Sequence, residues 1–113
     1  MKGVLRETVY VTLNGSGAGT VKVGPLSARE KWYPETVTVN ANANPTNESQ
    51  CSISVGDANT LRLRDITVNG SSGDSTGKVS GDVIRCGEFV WATWTGGDAG
   101  QRAQMTVMGT KEV

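Results

Sequence analysis

This chain of 113 residues contains no histidine, so its main candidates for catalysis or metal binding are two cysteines and eleven acidic residues. Without an imidazole, the Ser-His-Asp and Cys-His arrangements that activate a nucleophile are absent, as is the commonest metal ligand. A pair of carboxylates can hydrolyse a glycosidic bond. The acids here, however, lie mostly in turns or beside glycine. We therefore predict that the protein is not an enzyme and carries no cofactor.

The two cysteines could remain reduced or form one disulfide. Cys51 lies in the sequence CSISV, in phase with Ile53 and Val55, so its side chain is expected in the core. Two reduced thiols are the favoured interpretation, since disulfides are rare in proteins made and kept in the cytosol. A disulfide between Cys51 and Cys86 that joins two sheets is the alternative.

Glycine followed by aspartate recurs in the chain, which fits either calcium-binding loops or tight turns. These pairs begin at Gly56, Gly73, Gly81 and Gly97. No two of these acids have the alternate spacing of an EF-hand loop, so turns are favoured and no metal is predicted. The glycine-rich stretches GSGAG and TGGDAG precede no helical pattern, so we predict hairpin tips rather than phosphate-binding loops.

The charge balance bears on the partners of the protein. Lys and Arg number 11, Asp and Glu also number 11, and the pI is about 6.2. A protein that binds nucleic acid through its phosphates normally carries a basic excess. No apolar run approaches the length of a membrane-spanning helix. We expect neither nucleic acid nor a membrane as a partner.

Apolar and polar residues alternate through most of the chain, as is typical of short, half-buried strands. TVYVTL, GSGAG and TVKV together predict a hairpin, and LRLRDITV changes phase at Asp65–Ile66, which predicts a β-bulge. We predict an all-β fold with an N-terminal arm over residues 1–7 and one domain over residues 8–113. That domain is a single antiparallel β-sandwich, Ig-like or jelly-roll-like, of about seven or eight short strands.

The aromatic residues could fill the core or form a surface that stacks against sugar rings. Trp91 and Trp94 lie on opposite faces of the predicted strand EFVWATW, and Trp32 lies in the sequence WYP. We expect Trp91 to face the core and Trp94 to lie at the rim. A carbohydrate-binding surface would use Trp32 or Trp94.

Four stretches of the sequence carry a resemblance to a known group of proteins. They are GSGAGTVKVGP, WYPETVTV, CSISVGD and GEFVWATWTGGDAGQRAQMTVMGT. In these stretches the chain resembles small virion structural proteins of tailed bacteriophages, particularly phages of actinobacteria. The most specific pieces are WYP at residues 32–34 and WTGGDAG at residues 94–100. The chain departs from the group at Cys86, where proline would be expected, and in the charged sequence LRLRD.

This resemblance implies a structural component of the virion, assembled in the host cytoplasm, with a β-sandwich fold and no catalytic site. A capsid decoration (cement) protein would bind the major capsid protein on the outer shell as a homo-oligomer, with a trimer favoured. A tail-associated protein that attaches to the host or binds carbohydrate is the alternative. We favour decoration, since many copies of a small protein can brace a shell under internal pressure.

The expected contacts come from the arm, which would order only against the capsid, from the loop PLSAREKWYP and from the Trp-rich hairpin. The candidate interface residues are Lys2, Val4, Leu5, Arg6, Leu26, Arg29, Lys31, Trp32, Tyr33 and Trp94.

Overall fold

The structure is a computed structural model that describes residues 2–41, 49–67 and 81–113. Every regular element in these ranges is a β-strand, which confirms the all-β prediction. The eight strands are β1 (Lys2–Thr12), β2 (Gly19–Val23), β3 (Lys31–Ala41), β4 (Gln50–Gly56), β5 (Arg62–Thr67), β6 (Ile84–Arg85), β7 (Phe89–Thr95) and β8 (Arg102–Glu112).

The strands form two four-stranded antiparallel sheets that pack face to face as a β-sandwich. Sheet I has the order β1-β8-β3-β6, and sheet II has the order β2-β7-β4-β5. The pairs β1 with β8, β2 with β7, β3 with β6 and β4 with β5 are all antiparallel neighbours. This nesting of the first strands with the last is the strand order of a jelly roll, so of the two expected sandwich types the jelly roll is the one observed.

The core lies between the sheets and is built by the predicted alternation. Sheet I contributes Leu5, Val37, Val39, Ala103, Met105 and Val107, and sheet II contributes Val21, Cys51, Ile53, Val55, Val90, Ala92 and Trp94. The core position predicted for Cys51, in phase with Ile53 and Val55, is confirmed by this set.

The orientation predicted for the two tryptophans of β7 is wrong. Trp94 is 0% exposed, whereas Trp91 is only partly buried. The reason is the partner strand: Trp94 pairs with Cys51, which faces the core, while Trp91 pairs with Ser54 on the outer face. Directly opposed residues in neighbouring strands share one face of the sheet, so the pairing with β4 sets the direction of both indoles.

The two predicted glycine-rich hairpins are also wrong. β1 pairs with β8 and β2 with β7, so residues 13–18 carry the chain from sheet I to sheet II, and residues 96–101 carry it back. These two connections contact each other, because the Gly97 amide donates to the Gly17 carbonyl at 3.0 Å. The Leu13 amide likewise donates to the Gln101 carbonyl at 2.8 Å. The sequence alternation shows that each segment is a strand but carries no information about its partner.

The predicted N-terminal arm is part of the sandwich. β1 pairs with β8 in unbroken register from Lys2 opposite Glu112 to Thr12 opposite Arg102. Leu5 is buried in the core in phase with Val9. Glu7 stands between these two positions and interrupts the apolar alternation, which is why the segment does not look like a core strand in the sequence. The structure therefore describes residues 2–7 as the first part of β1 and not as a segment separate from the domain.

The predicted β-bulge is present, but at Arg64 rather than at Asp65–Ile66. Leu63 lies opposite Ser54 and Asp65 lies opposite Ile53, so Arg64 is the additional residue in β5. The Arg64 guanidinium donates two hydrogen bonds to the Asp82 carboxylate, at 2.8 Å and 2.7 Å. This ion pair ties the bulge to the segment that precedes β6.

Candidate interaction face

Aliphatic and aromatic side chains meet solvent side by side on the outer face of sheet II. Two rows of side chains cross it, and the strand register fixes their members. One row runs Lys22, Trp91, Ser54 and Leu63, and the other runs Thr20, Thr93, Ser52 and Ile66. We call the patch formed by Trp91, Leu63 and Ile66, with the intervening Ser52 and Ser54, the apolar outer face.

Strand β5 supplies the most exposed part of this face. Leu63 and Ile66 lie opposite Ser54 and Ser52, which face outward, and are 54% and 47% exposed. Asp65 lies opposite the core residue Ile53. Because Arg64 is an additional residue, Leu63 and Ile66 lie on the same face of β5. This edge strand therefore directs two aliphatic side chains toward solvent and the Asp65 carboxylate toward the core.

Trp91 is held in a fixed orientation within the face. Its indole Nε1 donates a hydrogen bond to the Gly56 carbonyl at 2.9 Å. The Phe89 ring contacts it edge-on, with the ring centroids 5.9 Å apart. The Lys22 ammonium lies over both rings, 4.6 Å from the Phe89 centroid and 5.1 Å from that of Trp91. An indole anchored in this way can be covered by a partner with little loss of side-chain entropy.

The residues that the sequence predicted as an interface do not form one surface. Val4 and Arg6 are exposed on sheet I, and Leu26 and Arg29 are exposed on the connection between β2 and β3. The structure starts β3 at Lys31, so residues 31–34 belong to a strand and not to the predicted loop. The placements are as follows: Lys31 and Tyr33 are half-buried, Leu5, Trp32 and Trp94 are buried in the core, and Lys2 begins β1 with its side chain outside the described part.

Sequence reasoning missed the exposed aliphatic residues in and next to β5, namely Leu61, Leu63 and Ile66. The predicted phase change in LRLRDITV was the available signal. An alternating apolar run that changes phase cannot keep all of its apolar residues in the core. The phase change therefore indicates both a bulge and a strand with apolar side chains that face outward.

Of the described acids beside glycine, Asp57 acts as a turn residue, whereas Asp82 forms the ion pair with Arg64. The Asp57 carboxylate accepts hydrogen bonds from the Thr60 hydroxyl and from the Asn59 and Thr60 amides, each at 2.9 Å. The Thr60 hydroxyl is the main cause that lowers the pKa of Asp57, followed by the Asn59 amide. The Gly73–Asp74 pair lies outside the described residues. Within the described ranges, no three Cys, Asp or Glu side chains are grouped as metal ligands.

The two cysteines are free thiols, with Cys51 buried and Cys86 exposed, so the alternative of a disulfide is not realised. None of the described elements is a helix with the length and apolarity needed to span a membrane.

Comparison of the chain with known protein families and with curated proteins finds no match. Functional inference therefore depends on the surface chemistry described above.

Proposed function

We propose that this protein is a non-enzymatic structural component of a bacteriophage virion, a capsid decoration protein that binds the major capsid protein on the outer shell. It acts as a homo-oligomer, with a trimer favoured. The resemblance of its WYP and WTGGDAG stretches to small virion proteins supports this assignment. The structural observation that carries it is the outward-facing aliphatic side of edge strand β5.

An exposed aliphatic edge strand is a liability for a protein that works alone. Leu61, Leu63 and Ile66 are each about half exposed, and β5 pairs only with β4 among the described strands. Natural edge strands are usually protected by charged or otherwise unfavourable side chains that prevent association. Here the charges flank the aliphatic residues without covering them, which suits a surface that a partner covers in the assembled particle.

The composition of the apolar outer face also suits a protein interface. Anchored tryptophans are enriched among residues that contribute strongly to binding. Serine and threonine hydroxyls surround Trp91, and Thr20 and Thr93 are hydrogen-bonded to each other at 3.2 Å. A small aliphatic and aromatic centre within a polar rim is the usual anatomy of a protein–protein contact. Many copies on one shell would sum modest individual contacts into a large stabilisation.

Cosedimentation of the purified protein with capsids that lack it, and separately with isolated tails, tests the proposal. We expect saturable binding to capsids and increased resistance of the capsids to heat. The double variant Leu63→Glu with Ile66→Glu should bind at least about tenfold more weakly, because two charges would be buried in the contact.

Val4→Glu is the matched control, since Val4 is an exposed aliphatic residue on sheet I. It should bind as the parent protein does, and far-UV circular dichroism should show both variants folded. Loss of binding in Val4→Glu alone would move the interface to β1. Binding to tails and not to capsids would contradict decoration and favour host attachment.

A further inference from the structure

A cleft of about 380 Å³ lies between the two sheets, at the end of sheet II where β2 ends and β7 begins. Glu7, Trp32 and Lys111 line it from sheet I, and Lys22, Val23 and Phe89 line it from sheet II. The connection between β2 and β3 adds Gly24, Leu26 and Glu30. The volume is within the range of natural small-molecule sites.

Two charged side chains occupy core-facing positions in this cleft. Glu7 lies opposite Val107, and Lys111 lies opposite Trp32, and both of these partners are buried on the inner face of sheet I. Opposed residues share a face, so Glu7 and Lys111 also project between the sheets. Neither forms an ion pair within 4.0 Å with a described residue.

Protection of a sheet edge explains one of these charges but not the other. An inward charge on an edge strand, such as Glu7 on β1, can prevent association of edges. Lys111, however, lies on β8, which has β1 on one side and β3 on the other. A half-buried lysine at an inner position of a central strand lowers stability unless its ammonium reaches solvent or a partner. A ligand in the cleft would be such a partner.

The remaining polar groups are arranged beside an aromatic wall. The Trp32 indole donates a hydrogen bond to the Glu30 Oε1 at 2.5 Å, which orients that carboxylate and leaves its second oxygen available. Phe89 and Val23 supply apolar surface. The lining residues of the cleft include two acids and two lysines beside an aromatic wall, so their formal charges cancel, and the Lys22 ammonium also lies over the Phe89 and Trp91 rings.

We propose that this cleft binds a neutral polyhydroxylated ligand, a single sugar unit. A hydroxyl group both donates and accepts hydrogen bonds, so it can satisfy ammonium donors and carboxylate acceptors together. The C–H faces of a pyranose ring pack well against aromatic side chains. A ligand with a net charge of either sign gains little here, because the attraction of the two lysines or the two acids is offset by repulsion from the other pair. The cleft shares Lys22 and Phe89 with the surroundings of Trp91, but no residue of the apolar outer face lines it, and it does not depend on the proposed capsid role.

The test is isothermal titration of the full chain with D-glucose, D-galactose, D-mannose, N-acetyl-D-glucosamine and L-rhamnose. We expect saturable binding of at least one of these sugars. Glu7→Gln and Lys111→Met should each weaken it by about tenfold, as expected for loss of a hydrogen bond to a charged group. Added salt should change the affinity little, since the ligand is neutral.

Glu35→Gln is the matched control, because Glu35 is exposed and does not line the cleft. This variant should bind the sugar with the affinity of the parent protein. The backbone amide NMR spectrum of each variant should show that the fold is retained. Absence of binding by all five sugars would overturn the proposal, as would equal binding by the parent protein and both cleft variants. Neither result would affect capsid binding, so the two proposals can fail separately.

Discussion

Cys51 illustrates how the core controls chemistry at the scale of one residue. Burial raises the pKa of its thiol from 9.0 to about 12, and the charge of Asp65 acts in the same direction. A backbone hydrogen bond with Thr93 lowers the pKa, but by less than burial raises it. Cys86 is exposed on the turn before β7. The two thiols should therefore differ in reactivity, since the thiolate is the reactive form.

We predict that a thiol reagent at mildly alkaline pH modifies one thiol in the native protein and both in denaturant. Cys86→Ser should abolish the native reaction, and Cys51→Ala should leave it intact.

The pKa of Cys51 is raised on folding, so its contribution to stability is complete below pH 9 and is lost as the pH rises toward 12. The difference in unfolding free energy between the parent protein and Cys51→Ala, measured across this range, checks the sign. Rapid modification of Cys51 in the native protein would contradict its burial.

At the scale of elements, β1 and β5 depart from expectation for the same reason. In each, one charged residue interrupts an apolar alternation, at Glu7 in β1 and at Arg64 in β5. The interruption in β1 leaves the register with β8 intact, so Leu5 still reaches the core. The interruption in β5 becomes a bulge, so Leu63 and Ile66 face solvent. Only the partner strand distinguishes these outcomes.

Leu5 and Val4 provide a matched test of β1, because they are adjacent and lie on opposite faces of the sheet. Leu5→Ala should lower the unfolding free energy by about 2–5 kcal/mol, the usual cost of truncating a buried leucine. Val4→Ala should change it by less than about 0.5 kcal/mol, since Val4 is 81% exposed. Urea denaturation followed by circular dichroism measures both. Equal, small effects would mean that residues 2–7 are an arm after all.

At the scale of the whole molecule, the two glycine-rich connections join the sheets at one end of the jelly roll. Gly17 has a φ of 72°, and a Cβ placed there would lie 1.9 Å from the Gly97 carbonyl oxygen. Both the left-handed backbone and the close approach therefore require glycine. The hydrogen bond from the Gly97 amide to the Gly17 carbonyl depends on this close approach.

We predict that Gly17→Ala lowers the unfolding free energy by about 2 kcal/mol or more, because it adds backbone strain and separates the two connections. Gly15→Ala is the control in the same loop, since its Cβ would meet no atom within 4 Å and its φ lies outside the left-handed region. It should change stability by less than about 1 kcal/mol. Thermal unfolding of both variants gives the comparison, and similar midpoints would show that the connections are not in the contact described.

The proposed contact surface and the proposed sugar site also belong to this scale, because each draws residues from distant parts of the chain. The apolar outer face combines β4, β5 and β7, and the sugar-sized cleft combines residues from Glu7 to Lys111. The predicted interface residues, in contrast, come mainly from two short stretches of sequence, residues 2–6 and 26–33. Leu26 and Trp32 from that set do line the cleft, but Trp94 is in the core.

The amino-acid sequence by itself determined the all-β class, most of the strands and the alternation within them. Period-two patterning is a local property, so Val37 with Val39 and Ala103 with Met105 could be assigned to common faces directly. Only the tertiary structure decided which face of β7 is inner, which strands are partners and where the apolar residues of β5 point. An alternating strand satisfies its own pattern in either orientation, and the choice is made by neighbours such as Cys51 opposite Trp94.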